Sequence, residues 1–269
     1  MWNIGARFLE LLAARYQIGV LHGSEDISIL LYSLVRREKP KLFVELGTGM
    51  GATTVWVAAA MKENGFGTIL TYDNGSHFDK PSVKEFLNCL AGPLSPLAEI
   101  SQRQNSTHEE FLSALFGLCD VTDHVVFKRG ELDLDNDNIT NIRSDISGES
   151  IDMLFSDYAH SPSMTQKIIA KFLPLMSETA SIFIDSASSH IPSFLTLERL
   201  VQCLNDQKLP KQLRASMSAE EESTAERKLK TTTFRLMHLM EKLDRPQNST
   251  SWIRLEPTDL VPPVTTYFH

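Results

Sequence analysis

Residues 41–53 read Lys41-Leu-Phe-Val-Glu45-Leu-Gly47-Thr-Gly49-Met-Gly51-Ala-Thr53. The opening is a short apolar run carrying one acid, which reads as a buried strand, and a glycine cluster closes it. From Thr53 to Asn64 the pattern is helical, with Val55, Val57, Ala58 and Met61 available for packing and Gly65 as a stop. Thr68 to Tyr72 is a second apolar run, closed by Asp73-Asn74-Gly75. Strand, glycine turn, helix and strand make the βαβ unit of a parallel sheet.

Outward from this unit the alternation continues. Strand character returns at 124–128, 151–156 and 180–184, with helical stretches at 164–175 and 193–205. Ser251–Glu256 and Val264–Phe268 read as two late strands around a proline-rich turn, which brings the count to seven. The order predicts an α/β fold: a doubly wound, mostly parallel seven-stranded Rossmann-like sheet in a single domain spanning 1–269. Residues 1–38 are expected to form a helical N-terminal segment, with apolar residues at helical spacing in 4–18 and 25–37. Residues 77–120 and 207–245 are expected as helical cover, the second running on through Phe234, Met237, Leu239 and Leu243.

Composition excludes several classes. Lys and Arg number 26 against 34 Asp and Glu, so the net charge of −8 and the lack of a basic run argue against nucleic-acid binding. Cys89, Cys119 and Cys203 are too few and too scattered for a disulfide framework or zinc site, and are expected as buried reduced thiols. Arg7, Glu10 and Arg15 interrupt any signal-peptide core, and no apolar stretch is long enough to span a bilayer. A cytoplasmic protein is expected, with the sequons at Asn105, Asn138 and Asn248 as chance matches.

Gly47, Gly49 and Ala52 satisfy the G-x-G-x-x-G/A template of a nucleotide-cofactor turn, in which a ligand meets the backbone without a Cβ in the way. Glu45 discriminates among ligands. A carboxylate within ~4 Å of a pyrophosphate repels it by roughly 4 kcal/mol per unit charge at an effective dielectric of ~20. The ammonium and sulfonium of S-adenosylmethionine would instead be attracted. Asp73, ending the second strand, suits ribose hydroxyls; the competing reading is an Asx turn in Asp73-Asn74-Gly75.

Val44-Glu45-Leu-Gly47-Thr48-Gly49-Met-Gly51 resembles the first motif of class I S-adenosylmethionine-dependent methyltransferases, and Thr71-Tyr-Asp73-Asn74 resembles their ribose-binding second motif. Val125-Val-Phe-Lys-Arg-Gly130-Glu131 is similar to their third-strand segment near adenine, and Ile151 to His160 to their fourth-strand motif. The resemblance implies that Glu45, Gly47, Thr48, Gly49, Gly51, Thr53, Asp73, Asn74, Gly130, Glu131, Asp157 and Tyr158 line the cofactor site.

Asp157 and Asp185 end the fourth and fifth strands, with His160 and His190 following. Such a set can bind a divalent cation such as Mg2+ or supply a general base. The metal-dependent small-molecule O-methyltransferases of the catechol type have Asp, then Asp-Asn, at these strand ends. This chain matches Asp157 and Asp185 but carries Ser186 in place of Asn. The Asp157-x-x-His160 spacing resembles the pattern of related enzymes in which the His is the base, while His190 is expected to cap a helix and Trp56 to pack the first helix rather than stack on adenine. Methyl transfer to an oxygen of a small molecule, with Asp157 and His160 catalytic, is the leading expectation. The alternatives are N-methylation, a non-methylating S-adenosylmethionine-binding protein and a nicotinamide oxidoreductase. The N-terminal helices offer a homodimer contact.

Overall fold

The structure is a computed structural model that describes residues 25–132, 134, 139–158, 160–240 and 249–260. Its seven strands are β1 (Leu42–Leu46), β2 (Thr68–Asp73), β3 (Val125–Arg129), β4 (Ile151–Ser156), β5 (Met176–Asp185), β6 (Thr232–Met240) and β7 (Ser249–Pro257), in the sheet order β3-β2-β1-β4-β5-β7-β6. Helices surround this mixed sheet, which makes it Rossmann-like. The chain divides into two compact units, the first running to Leu132 and the second covering the rest.

In the first unit β1 pairs parallel with β2, and β2 parallel with β3. Every residue of β1 is buried, as a parallel strand covered on both faces requires. Helix α1 (Glu25–Glu38) precedes it and α2 (Ala52–Asn64) follows. Gly65, at φ 80, ends α2 with its N–H bonded to the Lys62 carbonyl. Trp56 on α2 is 3% exposed and meets Tyr32 of α1 edge-on, so it packs against this helix as expected. Three further helices, α3 (Pro81–Asn88), α4 (Ser95–Gln102) and α5 (His108–Leu118), lie between β2 and β3. Thr107 and Glu110 form a reciprocal capping box that starts α5.

In the second unit β4 and β5 are parallel, whereas β7 runs antiparallel to both β5 and β6. Its helices are α6 (Ile139–Asp145), α7 (Pro162–Phe172), α8 (Ile191–Asn205), α9 (Lys211–Arg214) and α10 (Ala219–Leu229). Arg143 and Lys171 converge on Glu221, at 2.7 and 3.5 Å, and both Lys171 and Glu221 are buried. A buried charge needs such partners, and here two cations share one carboxylate.

Two expectations are corrected. The helix of 207–245 stops at Leu229, and Phe234, Met237 and Leu239 lie on strand β6 instead. Their spacing also suits a strand, and the β-branched run Thr231-Thr232-Thr233 favours one. Of the cysteines, only Cys119 is buried as expected; Cys89 is exposed and Cys203 half-buried. The helix of 4–18, the strand of 264–268 and Leu243 lie outside the described residues. Among the described residues, no helix is long and apolar enough to cross a membrane.

Candidate active site

The glycine turn of the first unit is stitched to the end of β2. Gly47 (φ 97) and Thr48 donate their N–H groups to the Tyr72 carbonyl, at 2.9 and 3.3 Å, and Gly49 (φ 51) donates to Asp73 Oδ2 at 2.9 Å. The glycines serve different ends. A Cβ built on Gly49 meets nothing within 4 Å, so its face is open for a ligand. A Cβ on Gly51 would lie 2.9 Å from Leu115 and 3.0 Å from Leu112, so this glycine admits the leucines of α5. Thr48 is buried, with its hydroxyl 2.6 Å from that of Thr71. Thr53 is half-buried, its hydroxyl 3.3 Å from Ser28 of α1.

Glu45 lies buried beneath this turn. It is 0% exposed, and Thr54 and Thr71 both donate to its Oε2 at 2.5 Å, while Oε1 is buried without a hydrogen-bond partner. Burial pushes the carboxyl up from 4.5 to about 7, opposed by the two threonine hydrogen bonds. Any influence on a ligand is therefore exerted as a field through the turn, and it strengthens as pH rises.

Asp73 ends β2 half-buried, with Oδ1 accepting from Gly75 N–H at 2.6 Å. The Asx turn is therefore present, and both carboxylate oxygens hold backbone N–H groups. An ionised carboxylate has about four acceptor positions, so capacity for hydroxyl donors remains. Asn74 is exposed and accepts from Ser76 N–H at 2.9 Å. Gly130 donates to the Asp73 carbonyl at 2.9 Å, and both it and Glu131 are exposed.

His108, at the start of α5, was not singled out from the sequence. It is 2% exposed, and its Nε2 lies 2.7 Å from the Gly49 carbonyl oxygen, 59 residues away in the chain. Only the fold creates that contact; the one local signal is the capping box that fixes the helix start.

The second unit gathers Asp157, His160 and Asp185. The Nδ1 of His160 is 3.0 Å from the Asp185 carbonyl oxygen. A carbonyl only accepts, so in the neutral ring Nδ1 carries the proton and Nε2 the lone pair. Nε2 lies 3.7 Å from Asp157 Oδ1. One carboxylate oxygen from each aspartate and one ring nitrogen sit within 4.8 Å of one another. Asp185 is buried, and burial raises its carboxyl above the ordinary value of 3.8, against lowering by the Ser186 hydrogen bond and by His160. Tyr158 is half-buried beside this group.

Ser186, which stands where the catechol-type pattern has Asn, donates its hydroxyl to Asp185 Oδ2 at 2.7 Å, and Thr250 adds a bond to Oδ1 at 3.4 Å. His160 completes the trio, and Ser186 (φ 55) holds one of its members. His190 takes the N-cap position of α8, its Nδ1 2.8 Å from Ser193 Oγ, and that hydroxyl donates to the His160 carbonyl at 2.6 Å.

A family model described as a methyltransferase domain matches residues 44–187, more than half of the chain. The chain belongs to the methyltransferase-domain family. Solved structures with the same fold include a protein from Klebsiella pneumoniae described by its resemblance to O-methyltransferases, with 14% identity and a TM-score of 0.52, covering 94% of this chain and 90% of that one. An O-methyltransferase from Streptomyces achromogenes involved in tomaymycin synthesis, solved with SAM, has 15% identity, a TM-score of 0.51 and the same coverages of 94% and 90%. An O-methyltransferase from Bacillus cereus solved with SAH has 13% identity and a TM-score of 0.51, covering 94% and 91%. Comparison with curated proteins finds no match. The region matched to the family holds the methyltransferase's glycine turn, Asp73 and all three members of the Asp157 cluster.

Proposed function

We propose that this methyltransferase transfers the methyl group of S-adenosylmethionine to an oxygen of a small-molecule acceptor. The residues of the first unit suit that donor. Gly49 presents open backbone where a Cβ would intrude, Asp73 retains acceptor capacity for ribose hydroxyls, and Glu45 carries an unpartnered buried oxygen under the turn. Gly47, Thr48, Gly49 and Asp73 would hold the cofactor, with Asn74, Gly130 and Glu131 on the exposed segments beside them. When bound, S-adenosylmethionine supplies a sulfonium methyl group open to in-line displacement.

The observation that carries the oxygen acceptor is the contact of His160 Nδ1 with the Asp185 carbonyl oxygen. The ring's Nδ1–H is tied to the Asp185 carbonyl, so Nε2 is the basic nitrogen, and it faces Asp157. A hydroxyl needs such a base to become a good nucleophile, and an amine needs it less. Asp157 then stabilises the imidazolium that results. Fixing the ring from its far nitrogen also keeps the base oriented, and positioning contributes several kcal/mol on its own.

A second reading is favoured by the spacing of the trio. Three lone-pair donors within 4.8 Å repel one another unless a cation lies among them. A metal-bound histidine usually donates its other N–H to a carbonyl or carboxylate, as His160 does here. Asp157, His160 and Asp185 would hold a divalent ion, which would act as a Lewis acid on the acceptor hydroxyl.

The test measures S-adenosylhomocysteine production against a panel of phenols, catechols and amines, with Mg2+ or with a chelator. Phenolic turnover that is lost in His160→Ala supports the proposal, and survival under chelation assigns His160 as base rather than ligand. Turnover of amines alone, or an active His160→Ala enzyme, overturns it.

A further inference from the structure

We propose that His108 is a positioning residue of the cofactor site, clamping the carbonyl of Gly49 so that the tip of the glycine turn holds one conformation. The inference rests on the reading of that turn as the S-adenosylmethionine site.

Glycine in a turn is the residue with the most backbone freedom to lose, so an open glycine face needs external restraint to be pre-organised. Gly49 is restrained on both sides. Its N–H is held by Asp73 Oδ2 at 2.9 Å and its carbonyl oxygen by His108 Nε2 at 2.7 Å. A carbonyl only accepts, so Nε2 carries the proton and donates.

The imidazole is itself held in place. The capping box of Thr107 and Glu110 sets the first turn of α5, where His108 lies. Its ring stacks on Phe78 at 5.5 Å between centroids and meets Phe127 edge-on at 5.5 Å. Gly75 closes over the ring, since a Cβ there would come 3.4 Å from both Cβ and Nδ1 of His108. One ring thus braces the glycine turn and the turn after Asp73 together.

The other nitrogen shows that packing alone does not account for this histidine. Nδ1 is buried with no hydrogen-bond partner, an arrangement that costs stability and that phenylalanine would avoid. Burial, with Arg129 beside it, also holds the ring below its ordinary value of 6.5, against the Gly49 hydrogen bond, Asp73 and Glu109, which act to raise it.

The test is calorimetric titration of the full chain with S-adenosylhomocysteine, alongside thermal unfolding. His108→Phe keeps the aromatic stack and removes the donor; His108→Gln restores an amide N–H near the Nε2 position. His108→Phe should bind about tenfold more weakly with an unfolding temperature near or above wild type, and His108→Gln should recover to within about threefold. Wild-type affinity in His108→Phe, or no recovery in a folded His108→Gln, overturns the inference. Asp73→Ala separates the two readings: if it binds like wild type, the turn is not the cofactor site. If it fails to bind while His108→Phe binds normally, only the role of His108 falls. Should His108→Phe not fold, nitrogen-15 spectra of wild-type histidines decide. His108 must be the Nε2–H tautomer, with slower proton exchange at saturating S-adenosylhomocysteine; the opposite tautomer or unchanged exchange refutes the clamp.

Discussion

Glu45→Gln should abolish the pH dependence that one buried carboxyl imposes on stability. Glutamine keeps the volume and an acceptor for Thr54 and Thr71, and it removes the ionisation. Burial raises Glu45 from 4.5 to about 7, so the folded protein holds this proton more tightly than the unfolded chain does. Its contribution to stability is therefore full below pH 4.5 and is lost as pH rises through about 7. At ~1.36 kcal/mol per unit, the complete loss is about 3 kcal/mol, of which about 2–3 kcal/mol falls between pH 5 and pH 9. Urea unfolding of both proteins at these two pH values measures it, and their difference cancels every group that they share. The amide carries a pH-independent cost at the unpartnered Oε1 position, which offsets both points equally. The gap should move toward the variant by the amount stated. A gap that stays constant would show that Glu45 is ionised throughout and that the account of its burial is wrong.

Glu221→Ala removes the carboxylate that Arg143 and the buried Lys171 share and undoes the capping box of α10, so a loss of about 3 kcal/mol in urea unfolding is expected. Gly51→Ala forces a Cβ against Leu115 and Leu112 at φ 79, and should cost about 1–3 kcal/mol with little change in the chemical step. Ser186→Ala removes the hydroxyl bonded to Asp185 Oδ2; if the trio holds a cation, metal affinity should fall about tenfold, read by titrating activity with Mg2+.

The βαβ unit was legible because its signals are local: an apolar run, glycines where φ turns positive and a helix stop at Gly65. All three members of the trio were legible, because Asp157 and Asp185 close two strands and His160 follows Asp157 by three residues, whereas the part of Ser186 depends on a turn at φ 55 that no pattern announces. Strand β6 was misread because apolar residues at 234, 237 and 239 satisfy a helical period as readily as a strand. Its pairing with β7 decided the outcome, and that is a long-range contact. The burial of Glu45 and the clamp by His108 were out of reach for the same reason. Thr71 lies 26 residues from Glu45, and His108 lies 59 from Gly49.

Selection of the methyl donor is tested most directly by titrating the wild-type protein with S-adenosylmethionine and with NAD at pH 6 and pH 8. Saturable binding of the sulfonium compound, tighter at pH 8 as Glu45 ionises, with no uptake of the dinucleotide, is the predicted result. Binding of NAD with indifference to S-adenosylmethionine would contradict the assignment of the turn and of the activity built on it.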